Sequence, residues 1–347
     1  MSRLAVSLGA IRLKNPVIAG SAEHLIDEGG IRRALAAGAG AVVVKSINES
    51  AAARDQLQRA EYLALDQDWR PVAWDATAPR QAFIACRSGL TPQPFEAWLD
   101  QTARLDREAR GQDAYVVASL ILSGLDALLA MARQVEAAGI RVLEVNIGTP
   151  YASQAARGAV STELDPERVR MIVAAVRRAV ALPLWIKLTG QSERVPELAA
   201  AAREAGADAV VMAGRSLGLI PDLETLEPML GTSLGVGGFW NLPLTCHWLA
   251  LSRARLGPDV PLIATNGVQG GEDVARALLA GAWAAQITSA VMMRGTAVLA
   301  DAVAGLDAYL ARKGLTADGL IGHAADRRKT FADMPLKTDN WKNYITP

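Results

Sequence analysis

The chain has 347 residues, 36 of them Lys or Arg and 36 Asp or Glu, and 51% of it is hydrophobic. Such a length suits one α/β barrel without requiring two domains, and the apolar fraction supplies a large core. The balanced charge excludes a field that would draw nucleic acid or an anionic membrane, and the two cysteines, Cys86 and Cys246, exclude a disulfide framework or an all-cysteine iron–sulfur cluster within the chain.

The N-terminal stretch "MSRLAVSLGAIRLKNP" lacks a signal-length apolar region, and no run approaches a membrane span, so a soluble cytoplasmic protein is expected. The first strand is expected at "PVIAG", 16–20. His24 follows it, close enough in sequence to reach the same end of the fold. A helical pattern then stops at Gly38, and "GAVVVK" forms a second strand ending in Lys45. Residues 46–94 have no strong period and hold Tyr62, Trp69 and Trp74, which suits a lid inserted between barrel elements. The third strand is "YVVASL", 115–120. The fourth, in "RVLEVNIGTPY", 141–151, runs out into Asn146, Gly148, Thr149 and Pro150.

The fifth strand, "PLWIKL", 183–188, carries Lys187 near its end. The sixth, in "ADAVVMAG", leads to Gly214 and Arg215. The seventh, "PLIAT", 261–265, leads to Asn266 and Gly267, and the eighth, in "AWAAQITS", leads to Ser289 and Ala290. The phrase helix, Ala-Gly, β-rich run recurs at Gly38, Gly139, Gly206 and Gly281. Glycine at those positions accepts the left-handed conformation that ends a helix. Nearly continuous apolar strands suit a parallel sheet covered on both faces. Eight of them alternating with helices predict a (β/α)8 TIM barrel over 1–315, with a polar C-terminal tail over 316–347. A doubly wound open sheet is the structural alternative.

Chemistry in such barrels sits at the C-terminal strand ends. Lys45 and Lys187 would both point into one mouth, which suits an anion or an electron-rich ring there. Each lysine by itself also reads as half of an ion pair. "LGVGGFW", 234–240, and "ATNGVQGGED", 264–273, each place glycines ahead of a helical stretch, as a phosphate cradle requires. Arg215 would suit a carboxylate or phosphate through its planar fork, or a salt bridge at the rim. The histidines, His24, His247 and His323, make no metal motif.

"LKNPVIAGSA", "GAVVVKS", "VLEVNIGTP", "LPLWIKLT", "EAGADAVVM", "GVGG" and "PLIATNGVQGGEDVARALLAGAWAAQITSAV" occur in the order of one known family. From about residue 8 to about residue 310 the chain resembles the dihydroorotate dehydrogenase family, including the flavin domain of dihydropyrimidine dehydrogenase. The resemblance implies FMN in the barrel mouth. It puts Ala19, Gly20 and Ser21 along the isoalloxazine, and Lys45 and Lys187 against the flavin. Gly237, Gly238, Asn266, Gly267, Ser289 and Ala290 would hold the phosphate. It also implies that Asn146 holds the substrate, beside Lys45, and that Thr149 stands where the family keeps a cysteine or serine for proton transfer. "Thr149-Pro150" reads alternatively as a plain turn.

The resemblance breaks where the family's pyrimidine members ring their substrate with asparagines. Those positions read here as Ala85 or Cys86, as Tyr151, and as Gly214-Arg215. A buried amide partner lost leaves a substrate group unpaired, at roughly 1–3 kcal/mol each. The expected activity is therefore an FMN-dependent oxidoreductase acting on a CH–CH bond beside a carbonyl. Its substrate would be other than dihydroorotate, anionic or larger, and bound by Asn146, Tyr151, Arg215 and Cys86. An authentic dihydroorotate dehydrogenase, and a phosphate-binding isomerase or non-catalytic flavin binder, are the alternatives. A homodimer is expected, with an electron partner that the sequence does not name.

Overall fold

The computed structural model describes residues 2–149 and 163–345. Eight parallel strands close into a barrel in chain order. They are β1 (Val17–Ala19), β2 (Ala41–Val43), β3 (Tyr115–Ile121), β4 (Leu143–Asn146), β5 (Leu184–Lys187), β6 (Ala209–Met212), β7 (Leu262–Thr265) and β8 (Ala284–Ile287). Closure comes where β8 pairs with β1, setting Gln286 opposite Ile18. The eight expected strands are the eight of the barrel, and the open sheet is excluded by that pairing.

A ring of helices covers the strands: α1 (Glu28–Ala36), α2 (Phe95–Ala109), α3 (Leu125–Ala137), α4 (Pro166–Ala179), α5 (Val195–Glu204), α6 (Leu242–Leu256), α7 (Gly271–Leu279) and α8 (Ala297–Lys313). In α3 the buried residues are Leu128, Met131, Ala132 and Val135, a single stripe at helical spacing. Each large side chain in such a stripe contributes about 1.5–3 kcal/mol by leaving water. Asp27 caps α1 by accepting from the Gly30 N–H, and Asp165 caps α4 with Pro166 in its first turn. Gly38, Gly139, Gly206 and Gly281 all have positive φ, between 77° and 110°, as the stop reading requires.

Two features depart from the sequence expectation. A hairpin, Val6–Leu8 with Ile11–Leu13, precedes the barrel, each strand burying its outer residues and exposing its middle one. It turns at Gly9, whose φ is 61°. The insertion after β2 is ordered in part as strands, Glu61–Leu65 and Phe83–Arg87. These pair antiparallel with each other, Phe83–Arg87 pairs antiparallel with Leu234–Gly237, and that strand pairs with Ser216–Gly218. A four-stranded sheet thus joins the insertion after β2 to the segment between β6 and α6. The start of "LGVGGFW" is therefore a strand of this sheet.

After α8, Ala317–Leu320 forms a short helix that buries Ala317 and Leu320, and the Ala317 N–H donates to the Arg3 carbonyl. Arg253 forks onto Asp326 with bonds of 2.7 and 2.8 Å. Residues 316–327 thus rest on the barrel, while 328–345 are almost wholly exposed. Among the described residues no helix is long and apolar enough to cross a membrane.

Candidate active site

The C-terminal strand ends and the four-stranded sheet enclose a cavity of about 1260 Å³, counting its open mouth. Three cations, Lys45, Lys187 and Arg215, and one carboxylate, Glu23, line it among the described residues. Each charge is held by a specific partner.

Lys187 ends β5, and its Nζ donates to Gln286 Oε1 at 2.8 Å. It lies 3.7 Å from Glu144 Oε1. Gln286 Nε2 in turn donates to Glu144 Oε2. Glu144 lies in β4 and Gln286 in β8, so this triad crosses the barrel interior, with Lys187 and Gln286 at the cavity floor and Glu144 fully buried. A carboxylate kept from water requires compensation, and here Oε2 accepts from Gln286 while Oε1 has the Lys187 ammonium 3.7 Å away.

Lys45 lies just past β2, and Nζ donates to Glu23 Oε1 at 2.6 Å and to Ser88 Oγ at 3.2 Å. The Trp98 indole donates to the Lys45 carbonyl at 2.9 Å and anchors the backbone that carries it. Burial by itself would raise the Glu23 pKa. The Lys45 charge, hydrogen bonds from Lys45 and Ser88, and the nearby Arg215 outweigh it and hold the carboxyl well below its usual range. Tyr62 is pushed up, by burial first and then by the Glu23 carboxylate, so its phenol stays protonated. Arg215 donates through one Nη to Cys86 Sγ at 3.1 Å, tying the end of β6 to the sheet.

Asn146 ends β4, and its Oδ1 accepts the Gly148 N–H at 3.0 Å. One lone pair of the amide oxygen is engaged in the turn, which leaves the Nδ2 donor and a second acceptor site for a ligand. Gly148 has a packing reason to be glycine: a Cβ there would meet the Thr189 nitrogen at 2.1 Å and the Leu188 carbonyl carbon at 2.2 Å. The loops after β4 and β5 touch at this point, which sets Thr149 in the cavity wall. Asn266, with φ 74°, donates to the Gly214 carbonyl, and a Cβ on Gly237 would meet Asn266 Oδ1 at 2.8 Å. That close approach draws the sheet down onto the ends of β6 and β7.

The structure brings Ser21, Lys45, Cys86, Asn146, Thr149, Lys187, Arg215, Gly237, Asn266, Gly267 and Ser289 to one cavity. Ala19, Gly20, Gly238 and Ala290 do not line it. Gly20 instead lets β1 and β8 meet, since a Cβ would lie 2.1 Å from Thr288 Oγ1. Tyr151 lies outside the described residues. Of the aromatics in the insertion, Tyr62 reaches the cavity. Trp74 stacks edge-on against Tyr62 and donates to the Met292 carbonyl, and Trp69 is half exposed.

Sequence reasoning missed Glu23, Ser88, Glu144 and Gln286. The last two had a signal: a charged and an amide residue inside otherwise apolar strands, "VLEVN" and "AAQIT". Glu23 had none, because only the fold sets it against Lys45.

His24 does not line the cavity. Both ring nitrogens are buried without a partner, and burial lowers its pKa from 6.5 to about 4. The folded state then binds fewer protons than the unfolded chain between those values. Stability is complete above the ordinary histidine pKa and falls as the pH drops toward 4. Between pH 6.5 and about pH 5 this histidine should cost about 2 kcal/mol. His24→Gln should flatten that interval in denaturant titrations. An equal decline in the variant would assign it to other groups.

The family model described as dihydroorotate dehydrogenase matches residues 76–310. The dihydroorotate dehydrogenase B (NAD(+)), catalytic subunit, of Methanocella arvoryzae is 28% identical over 323 residues, 93% of this chain and 98% of that protein. The protein of the same name from Methanothermobacter thermautotrophicus is 26% identical over 327 residues, 93% of this chain and 99% of that protein. The dihydroorotate dehydrogenase A (fumarate) of Lactobacillus helveticus is 31% identical over 180 residues, 51% of this chain and 57% of that protein.

Proposed function

The chain belongs to the dihydroorotate dehydrogenase family and is an oxidoreductase, and from this we propose that it uses FMN to act on a CH–CH bond beside a carbonyl in an anionic substrate other than dihydroorotate. The observation that carries the reading is Arg215, paired to Cys86 inside the cavity, where the resemblance expects amides. A guanidinium there suits a carboxylate or phosphate better than a neutral ring edge.

The cavity suits FMN on its donor set. Lys187, Lys45 and Ser21 place cations and a hydroxyl where a flavin's polar edge would lie. Gly237, Asn266, Gly267 and Ser289 gather at the ends of β7 and β8, the frequent phosphate site of this fold. A Cβ on Gly267 would meet the Leu242 nitrogen at 2.4 Å, so that loop packs close against the start of α6.

Bound FMN supplies a two-electron carrier that exchanges hydride with the substrate carbon. The protein's own contribution is position and charge. Lys187 would offer its ammonium to the polar edge of the flavin and favour negative charge there. Asn146 Nδ2 donates to the substrate carbonyl, and Arg215 fixes its anionic group. Thr149 Oγ1, or a water it holds, moves the proton at the neighbouring carbon. A hydroxyl is a weak acid, so this transfer requires a hydrogen-bonded acceptor.

The purified native protein should be yellow and release FMN, not FAD, on denaturation. Colourless protein that also fails to bind added FMN would exclude this reading and favour a phosphate-binding isomerase.

A further inference from the structure

Tyr62 reaches the cavity from Glu61–Leu65, an outer strand of the four-stranded sheet. Register sets it opposite Cys86, and Cys86 opposite Gly235. Directly paired residues point to one face of a sheet. This row therefore faces the cavity, and all three residues line it. The next row, Leu63, Ala85 and Val236, faces away and packs with Phe83 and Leu234.

Arg215 comes to the same row from the other side. It precedes Ser216, which pairs with Val236, and a Cβ on Gly237 would meet Arg215 Cβ at 3.4 Å. Its guanidinium reaches past that strand to Cys86 Sγ, and glycine at 235 puts no side chain in the way. A phenol and a guanidinium thus approach one thiol from neighbouring strands.

The phenol is fixed in place and unused. Trp74 meets the Tyr62 ring edge-on with centroids 6.1 Å apart, and the Met292 carbonyl holds the indole. Tyr62 Oη is buried and makes no hydrogen bond, although the Glu23 carboxylate and Ser88 lie near enough to act on it. Glu23 Oε1 already accepts from Lys45 and Ser88. Burial and the Glu23 charge keep the phenol protonated, so it is a donor at neutral pH. A buried hydroxyl without a partner is costly, and on a cavity wall it marks a contact that a ligand completes.

We propose that Tyr62 is a specificity-determining residue, its phenol O–H donating to one oxygen of a substrate carboxylate whose other oxygen meets Arg215. This rests on the reading of the cavity as the site of an anionic substrate, and it names the anionic group and its second donor. A carboxylate has acceptors for both the fork and the phenol. Glu23 limits the charge: it lies close enough to interact with both Arg215 and Tyr62, so the second negative charge of a phosphate would be repelled there.

Calorimetric titration of the purified full chain with fumarate tests this. Tyr62→Phe should weaken fumarate binding by about ten- to a hundredfold, the worth of a hydrogen bond to a charged group. It should change the binding of the neutral diamide of fumarate by less than about threefold. Combining it with Arg215→Ala should cost less than the product of the two single losses, because both donors serve one group. Inorganic phosphate should leave the fumarate titration unchanged. Without ligand, Tyr62→Phe should melt no lower than the wild type, because the hydroxyl has no bond to lose and the ring still packs on Trp74. Wild-type protein that binds no fumarate would overturn both this inference and the anionic-substrate reading. Binding that fails in Arg215→Ala yet is unchanged in Tyr62→Phe would overturn the role of Tyr62 alone. A lowered melting point in Tyr62→Phe would make the hydroxyl structural, and competition by phosphate would replace the carboxylate.

Discussion

Lys187→Met should lose both fold stability and flavin affinity, and a second substitution should separate the two losses. The Lys187 ammonium is the cation nearest the buried Glu144 carboxylate, with Gln286 bridging them. Removing one partner of a buried pair leaves the other charge uncompensated, at about 3–5 kcal/mol. Chemical denaturation at neutral pH should show that loss. Lys187→Met combined with Glu144→Gln should recover most of it, because the neutral amide still accepts from Gln286 and no longer needs a cation. Flavin binding should not recover, since the charge offered to the ring is still missing. In the doubly substituted protein the flavin should be released more readily and be harder to reduce. Unchanged stability in the single variant would contradict the buried triad. Restored stability together with normal flavin affinity and potential would leave Lys187 a structural residue only.

Dihydroorotate should be a poor substrate. The resemblance expects amides where this cavity has Cys86 and Arg215, and a third such position falls at Tyr151. Two or three unpaired polar groups at about 1–3 kcal/mol each lower efficiency by several orders of magnitude. Steady-state kinetics with dihydroorotate and a dye acceptor should show slow or absent turnover, while dithionite still reduces the flavin. Carboxylate ligands such as fumarate should perturb the flavin spectrum, and Arg215→Ala should weaken that binding by at least about a hundredfold without releasing FMN. Arg215→Lys should restore little, because a point charge does not reproduce the two-pronged fork. Rapid, saturable reduction by micromolar dihydroorotate would instead identify the chain as an authentic dihydroorotate dehydrogenase. It would also make Arg215 a rim residue.

The sequence by itself determined the barrel. Short apolar runs separated by helical patterns, with glycine ending the helices before β2, β4, β6 and β8, leave little freedom in topology. Hydrophobic period and left-handed glycine are local properties, and they can be read locally. The strand ends follow directly from that count, so Lys45, Asn146, Lys187, Arg215 and Asn266 could be assigned to one mouth before any coordinates.

Tertiary structure decided which charge neutralises which. Nothing near Glu23 in the chain marks it as the partner of Lys45, 22 residues away. Nothing near Glu144 marks it as the anchor of Gln286, 142 residues away. Partner choice depends on where strands lie around a closed ring, and a periodic pattern records only which face is buried. The roof over the cavity is the same case. Phe83–Arg87 and Leu234–Gly237 pair across about half the chain, and neither segment has the length or alternation to declare a sheet alone. Their pairing is possible because the barrel holds the ends of β2 and β6 at the same rim. The segment after Arg327 reads as a polar tail by composition, and only the fold shows that its large apolar residues, Phe331 and Leu336 among them, stay outside the core.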